Sequence, residues 1–219
     1  MKKIATIYTP FKEKFGIPRQ SGLTESEGKI VFEKEYSRRE AFNCIETFTH
    51  LWIVWEFSEN CFKPWSPTVR PPRLGGNRKV GVFASRSPFR PNPIGLSSVR
   101  LVKLCFENGR AVLYVKGVDM LDGTPVYDVK PYIPYTDCLV DAKGGFADDF
   151  IDYSLNVEYD EKLFLQYDEK IKENIIKVLS FDPRPSYQDD PDRIYGMNYF
   201  GHEIKFCVKN NTLKIISID

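Results

Sequence analysis

Residues 96–120 read LSSVRLVKLCFENGRAVLYVKGVDM, and this stretch decides the fold class. It contains two runs that are rich in branched and aromatic residues, Leu96–Phe106 and Arg110–Met120, separated by Glu107-Asn108-Gly109-Arg110. An Asn-Gly pair between two such runs is typical of a tight two-residue turn. The stretch therefore predicts a long β-hairpin.

Similar short runs precede the hairpin. Four of them are predicted to be strands: Ile4–Tyr8, Gly28–Phe32, Leu51–Phe57 and Lys79–Ser85. The run Leu51–Phe57 is apolar apart from Glu56, which predicts a strand buried on both faces. Apolar residues at helical spacing predict a short helix over Arg38–Glu46. Many short strands separated by turns favour a β-barrel or sandwich over a βαβ arrangement.

The C-terminal third has a different pattern. Residues 141–156 are rich in Asp and Gly and are predicted to be a linker between a β-barrel domain, residues 1–140, and a small α+β domain, residues 157–219. Apolar residues recur every fourth position over Asp160–Leu179 and predict an amphipathic helix. The three strand-like runs that follow are joined by the turn formers Gly201-His202 and Asn210-Asn211, which predicts a small antiparallel sheet under the helix.

Composition excludes several classes of protein. The 219 residues are 42% hydrophobic and 28% charged, as in ordinary water-soluble domains. No apolar run approaches the ~18 residues of a membrane span, and no segment near the N-terminus fits a signal peptide. The five cysteines are scattered without a Cys-x-x-Cys pair, and there are only two histidines. This pattern predicts reduced thiols in a cytoplasmic protein and no metal site.

Positive charge is concentrated in one segment. Residues 60–106 carry nine of the 31 basic residues, none of the 30 acidic residues, and seven of the 15 prolines. Proline restricts the backbone, so the segment is predicted to be a stiff loop region that presents guanidinium groups to phosphates or carboxylates. The alternative is a solvated basic surface loop without a ligand.

Several long motifs in this chain resemble one known family. TVRPPRLGG at residues 68–76 and GVFASRSPFRPNPIG at residues 81–95 are similar to the signature of the TrmO family. KFGIPRQSGL, HLWIVWEF and VDMLDGTPVYDVKPYIPY occur in the same order as in that family. The resemblance runs from about Ile4 to Tyr135, and a looser one begins at Phe181.

The resemblance implies a fold and an activity. Members of the family have a β-barrel that binds S-adenosylmethionine, act as homodimers and methylate tRNA. Their substrate is threonylcarbamoyladenosine, 3′ of the anticodon in threonine tRNA, and the methyl group goes to the exocyclic nitrogen of the adenine. The resemblance thus implies a mainly β chain with S-adenosylmethionine as cofactor, and tRNA and a second copy of itself as partners.

The same resemblance implies a set of site residues. The implied cofactor contacts are Pro18, Arg19, Gln20, Ser58, Glu59, Arg86, Leu96, Asp119, Met120, Leu121 and Asp122. Ser58-Glu59 departs from the His-Gln that many members of the family have at this place. Arginine can pair with a carboxylate, aspartate can accept hydrogen bonds from a ribose or an ammonium group, and Leu96 can cover a purine.

Other interpretations of these residues remain open. Arg19 and Arg86 are also suited to bridging loops through backbone carbonyl groups. Asp122-Gly123 is a turn-forming dipeptide in any context. Glu56, within its apolar strand, is more typical of a partnered structural carboxylate than of a base.

The acceptor nitrogen carries a carbonyl substituent, so it attacks well only after losing its proton, and a general base is expected. The candidates for the base are Asp119, Asp122 and Tyr127. The candidates for phosphate contacts are Arg70, Arg73, Arg78, Lys79 and Arg90, while Trp65 is the tryptophan placed to stack on a base. Two rival functions are a non-catalytic RNA-binding protein and a methyltransferase of the same fold that acts on a small molecule.

Overall fold

Six antiparallel strands close into a barrel in the order β1-β2-β7-β6-β3-β8. The computed structural model describes residues 1–75, 78–184 and 190–219. The first eight strands are β1 (Ala5–Tyr8), β2 (Glu27–Phe32), β3 (His50–Glu56), β4 (Thr68–Val69), β5 (Val80–Gly81), β6 (Ile94–Glu107), β7 (Arg110–Lys116) and β8 (Thr124–Pro131). Strands β4 and β5 pair with each other in a separate small sheet. The sequence predicted either a β-barrel or a β-sandwich, and the structure shows a barrel.

The hairpin of β6 and β7 is confirmed. Glu107 pairs with Arg110, and the two residues between them, Asn108 and Gly109, have φ angles of 51° and 73°. Positive φ at both turn positions is the geometry that matches the twist of the flanking strands. Strand β7 ends at Lys116, earlier than predicted, because Gly117 also takes a positive φ of 82°.

The prediction that β3 is buried on both faces is wrong. Leu51, Ile53 and Trp55 point into the core, whereas Trp52 and Val54 are partly exposed. A barrel strand has one face inside and one outside, so large apolar residues on the outer face need not be covered.

Two further predictions before β6 need correction. The predicted helix over Arg38–Glu46 consists of two 3₁₀ turns, Arg39–Phe42 and Ile45–Thr47. Cys44 between them has a left-handed φ of 67°, which interrupts the helical hydrogen bonds. The predicted strand Lys79–Ser85 forms a strand only at Val80–Gly81 and then enters a 3₁₀ turn.

The C-terminal part is a four-stranded sheet with one helix. Its elements, with a short helix before them, are α1 (Pro134–Asp137), β9 (Asn156–Glu158), α2 (Glu169–Ser180), β10 (Tyr195–Tyr199), β11 (His202–Lys209) and β12 (Thr212–Ile218). The sheet order is β10-β11-β12-β9. The three predicted strands are confirmed, but β9 adds a parallel edge, so the sheet is mixed. The division into two domains and a linker at the stated boundaries stays a prediction.

Helix α2 begins nine residues later than predicted. The Asp168 side chain accepts a hydrogen bond from the backbone N–H of Ile171 at 2.8 Å and caps the helix. Asp160 does the same for Lys162 at 2.9 Å, which starts a separate 3₁₀ turn over Glu161–Phe164. Two capping aspartates eight positions apart divide one apolar repeat into two short elements.

Barrel and C-terminal sheet share one hydrophobic core. The rings of Phe11 and Tyr199 lie 5.5 Å apart, and the Tyr199 hydroxyl is hydrogen-bonded to Ser26 Oγ at 2.9 Å. Gly16 passes so close to Met197 that a Cβ atom there would lie 2.3 Å from the sulfur. The N-terminal loop of the barrel is therefore packed directly against β10.

We expect Gly95→Ala to destabilise the barrel. A Cβ atom on Gly95 would lie 2.2 Å from Trp55 Cε2, so the indole must shift inside a closed core. Overpacking of this kind costs about 1–3 kcal/mol in the free energy of unfolding, measurable by urea denaturation. The matched control is Gly81→Ala, where nothing lies within 4 Å and φ is −59°. Equal stability of the two variants would contradict the prediction.

Candidate active site

The site residues implied by the resemblance gather at one end of the barrel. In an antiparallel barrel the last residues of one strand lie beside the first residues of its neighbours. Here Trp55 at the end of β3 pairs with Gly95 near the start of β6 and with Val126 near the start of β8. This end, called the rim, carries the loops with residues 18–20, 58–59, 86 and 119–122, together with Leu96.

Asp119 is the aspartate of the rim whose pKa is shifted. One of its carboxylate oxygens, Oδ1, accepts a hydrogen bond from Ser97 Oγ at 2.6 Å. Burial raises the pKa of Asp119 to about 6, although the Ser97 hydrogen bond and the charge of Arg86 act in the opposite direction. A carboxyl group in this state is mostly ionised at neutral pH, yet it is a stronger base than an ordinary aspartate.

Ser97 and Trp55 complete a hydrogen-bond chain that the sequence did not reveal. Trp55 Nε1 donates to Ser97 Oγ at 2.9 Å, which leaves the serine proton directed at Asp119. Both side chains are buried, Ser97 at 1% and Trp55 at 5% exposure. The signal available in the sequence was alternation, since Gly95, Ser97 and Val99 share the inner face of β6. A serine at an inward position needs a partner.

Asp122 has a different environment. Its Oδ1 accepts from the backbone N–H of Thr9 at 2.9 Å, and its Oδ2 pairs with Lys12 Nζ at 2.6 Å. Gly123 follows with a φ of 77°. The carboxylate therefore closes the turn before β8 onto the loop after β1, as the turn interpretation of Asp122-Gly123 expects. The neighbouring Met120 is fully buried and contributes its carbonyl oxygen to Thr9 Oγ1.

Tyr127 and Glu56 form a second pair at the rim. The Tyr127 hydroxyl donates to Glu56 Oε2 at 2.6 Å. Burial, followed by this hydrogen bond to a carboxylate, raises the pKa of Tyr127 to about 12. The phenol keeps its proton at neutral pH, so it is suited to donating a hydrogen bond rather than to accepting a proton. Glu56 is a partnered carboxylate.

Two arginines of the implied cofactor set have internal partners. Arg19 Nη2 donates to the backbone carbonyl oxygens of Asp182 and Arg184, both at 3.1 Å. Burial lowers the pKa of Arg19. The Arg86 guanidinium donates to the side-chain oxygen of Gln20. Arg19 thus ties the loop of residues 18–20 to the chain beyond α2, while Arg86 and Gln20 hold two loops of the rim together.

The candidate phosphate contacts divide into two groups. Arg70, Arg78 and Lys79 are exposed. Arg73 lies 4.1 Å from the centre of the Tyr153 ring, and Arg90 donates to the carbonyl oxygen of Val82 at 2.9 Å, so both support the protein itself. Among residues 1–75, 78–184 and 190–219 no cluster of potential metal ligands occurs, and no helix is long and apolar enough to cross a membrane.

Comparison with known proteins identifies the family. The profile of the tRNA-methyltransferase O N-terminal domain matches residues 6–138, and that of the TrmO C-terminal domain matches residues 152–219. The chain belongs to the TrmO family. The resemblance inferred from the sequence motifs is confirmed.

Similar proteins span the TrmO-family chain almost completely. A tRNA (adenine(37)-N6)-methyltransferase of Escherichia coli K12 is 35% identical over 100% of this chain and 97% of its own length. A putative S-adenosylmethionine-dependent methyltransferase of Pseudomonas aeruginosa is 40% identical over 92% of this chain and 89% of its own. The crystal structure of TrmO from Pseudomonas aeruginosa has a TM-score of 0.77 at 30% identity, covering 99% of this chain and 97% of that one. The predicted fold class, a β-barrel followed by a small α+β part, is confirmed.

We expect Asp119 to make the stability of this TrmO-family chain depend on pH. Between the ordinary pKa of 3.8 and the folded value of about 6, the unfolded chain releases the proton before the folded chain does. The contribution of Asp119 to the free energy of unfolding therefore falls as pH rises from about 4 to about 6. Asp119→Asn removes this dependence, so the variant gains stability relative to wild type across that interval. Urea denaturation at a series of pH values measures it.

Ser97→Ala provides the second test of this assignment. The substitution removes a hydrogen bond that lowers the pKa of Asp119, so the fall in stability should extend to higher pH than in wild type. Identical pH dependence in wild type, Asp119→Asn and Ser97→Ala would show that Asp119 does not titrate in this interval.

Proposed function

We propose that this chain transfers a methyl group from S-adenosylmethionine to the exocyclic nitrogen of the adenine at position 37 of tRNA, with threonylcarbamoyladenosine as the substrate nucleoside. The observation that carries the proposal is the full-length similarity to a tRNA (adenine(37)-N6)-methyltransferase, on a fold whose rim holds a partly buried, elevated-pKa aspartate. A Pyrococcus abyssi relative with 38% identity, which covers 67% of this chain, is a probable S-adenosyl-L-methionine-binding protein.

The rim residues fit the chemistry of S-adenosylmethionine. The cofactor supplies a methyl group on a positively charged sulfur. Leu96 is 56% exposed at the rim, where an apolar side chain can cover a purine. The exposed Arg86 can pair with a carboxylate, and the second oxygen of Asp119 can accept from a hydroxyl or ammonium group. We also assign to this site Pro18, Gln20, Ser58 and Glu59, which lie on loops at the same end of the barrel, while Arg19 supports the loop of residues 18–20 from outside.

The chain's main contribution to the reaction is positioning. Holding the acceptor nitrogen and the methyl carbon in line and in contact lowers the barrier by roughly 7–11 kcal/mol. Asp119 is the base that the structure favours, because Asp122 is paired with Lys12 and Tyr127 retains its proton. It takes the proton from the acceptor nitrogen, and Ser97 keeps its carboxylate in the correct orientation.

The proposal that this chain binds tRNA rests on exposed basic side chains. Arg70, Arg78 and Lys79 are free to contact phosphates of the anticodon stem, which would give affinity with strong salt dependence. We assign the reaction to the cytoplasm, in keeping with the five free thiols.

The two rival functions are not favoured. A non-catalytic RNA-binding protein would not need a buried aspartate held by a two-step hydrogen-bond chain. A small-molecule methyltransferase would not need the acid-free basic segment of residues 60–106.

We expect the purified chain to add one methyl group to tRNA only when the tRNA carries threonylcarbamoyladenosine and S-adenosylmethionine is supplied. Mass analysis of the digested nucleosides measures the product. Asp119→Asn should lower kcat about 100-fold or more, because a general base contributes on the order of 10²–10⁴. The exposed Asp141→Asn is the matched control. Methylation of small molecules in place of tRNA would sink the proposal.

We also propose a homodimer. Tyr135, Leu139 and Val140 are 88%, 69% and 93% exposed within one short segment after β8, and exposed apolar residues grouped in this way are typical of an interface. Light scattering should give twice the mass of the 25.4 kDa chain. Val140→Asp should shift the mass to that of a single chain, since a buried charge without a partner opposes association. A single-chain mass for wild type at micromolar concentration would contradict the proposal.

A further inference from the structure

Four aromatic rings are exposed within the segment that joins β3 to β6. Phe62, Trp65, Phe83 and Phe89 are 95%, 52%, 73% and 39% exposed. Phenylalanine is among the residues most often buried, and a group of exposed rings in one segment marks an interaction site rather than ordinary surface. The proposed roles of the rim use none of these four rings.

Hydrogen bonds fix the backbone that carries three of these rings. The backbone N–H of Ser66 donates to the carbonyl oxygen of Phe89 at 3.2 Å, which joins the chain beside Trp65 to Phe89. The backbone N–H of Val82 donates to the carbonyl oxygen of Pro67 at 3.0 Å, which brings the chain at Phe83 beside the chain that follows Trp65. Arg90 donates to the carbonyl oxygens of Val82 and Ser85 at 2.9 and 2.7 Å and locks the turn. The rings are exposed on a braced backbone.

Cations lie against two of the rings. Lys63 Nζ is 6.0 Å from the centre of the Phe89 ring, and Arg90 Cζ is 5.5 Å from the centre of the Phe83 ring. Residues 60–93 of this segment contain no acidic residue, and Glu59 before them is paired with Lys14 Nζ at 3.1 Å. Aromatic faces for bases and cations for phosphates are the two components of a single-stranded nucleic-acid surface.

The segment adjoins the rim. It leaves β3 after Glu56 and returns to β6 at Ile94, and the backbone N–H of Phe57 donates to the carbonyl oxygen of Pro93 at 2.8 Å. Leu96 and Ser97 follow directly on β6. The exposed rings are therefore carried by a segment that begins and ends at the rim, the end of the barrel where Asp119 lies.

We propose that Trp65, Phe83 and Phe89, with Lys63 as a phosphate contact and Arg90 as the internal brace, form a stacking surface for unpaired bases of the tRNA anticodon loop that flank the methylated adenine. This inference rests on the proposed function and adds the residues that hold the loop open. A second copy of the chain is the competing occupant, but lysine is depleted in protein interfaces, whereas Lys63 lies against the Phe89 ring. Residues 60–93 are basic and free of acidic residues, so pairing this surface with its own copy would bring like charges together.

The test uses an anticodon stem-loop RNA and the full chain. Trp65→Ala and Phe83→Ala should each weaken the Kd about 5- to 100-fold, the range expected for one base–ring stack. Trp65→Phe keeps a ring and should bind nearly as well as wild type. Phe48→Ala is the matched control, because Phe48 is an exposed ring before β3, at the opposite end of the barrel from the rim. All three side chains are exposed, and thermal unfolding confirms that each of the four variants is folded.

Salt dependence separates stacking from phosphate contacts. Trp65→Ala should leave the slope of log Kd against log salt unchanged, while Lys63→Gln should reduce it by about 1. A stem-loop affinity unchanged in Trp65→Ala and Phe83→Ala, with methylation of tRNA intact, would overturn the stacking surface and leave the proposed function standing. A loss of dimer mass in these variants would assign the surface to the second copy and also overturn it. Wild-type protein that neither binds nor methylates tRNA would overturn both.

Discussion

The position of β3 between β6 and β8 is the constraint on which the site depends. Trp55, near the end of this strand, packs on Gly95, where even a methyl group would collide with the indole. The indole N–H can then reach only inward, to Ser97, and Ser97 in turn holds Asp119. The barrel closes around the hydrogen-bond chain of Trp55, Ser97 and Asp119. The last member, the carboxylate of Asp119, is partly exposed. Packing and chemistry are thus parts of one arrangement.

The C-terminal part of the chain supports the same rim from outside the barrel. Tyr199 is fully buried, packs against Phe11 with the two rings tilted by 50°, and is hydrogen-bonded to Ser26 of the barrel. Arg19 reaches across to the turn after α2, where Asp182 has a positive φ of 50° and pairs with Arg184. The loop of residues 18–20 is held by groups outside the barrel, which explains how this loop keeps one shape although Gly16 and Gly22 flank it.

Much of the fold could be predicted from local pattern. The Asn108-Gly109 turn, the three C-terminal strands and the family motifs all depend on neighbouring residues, and all are confirmed. The wrong predictions relied on the spacing of apolar residues alone. The predicted helix over Asp160–Leu179 followed that spacing, but the Asp168 side chain caps a helix that begins later. Strand β3 was predicted to be buried on both faces because an apolar run does not reveal whether its sheet closes into a barrel with one outer face.

The candidate site shows the same division. The sequence by itself determined the family and the segment of concentrated positive charge, because these depend on residue identity and order along the chain, and the family resemblance supplied the candidate site residues. Only the tertiary structure distinguished Asp119 from Asp122, gave Arg19 a partner 163 positions away, and placed Ser97 behind the carboxylate. Those contacts arise from strand register and barrel closure, which bring distant residues within hydrogen-bonding distance and leave no trace in local sequence pattern.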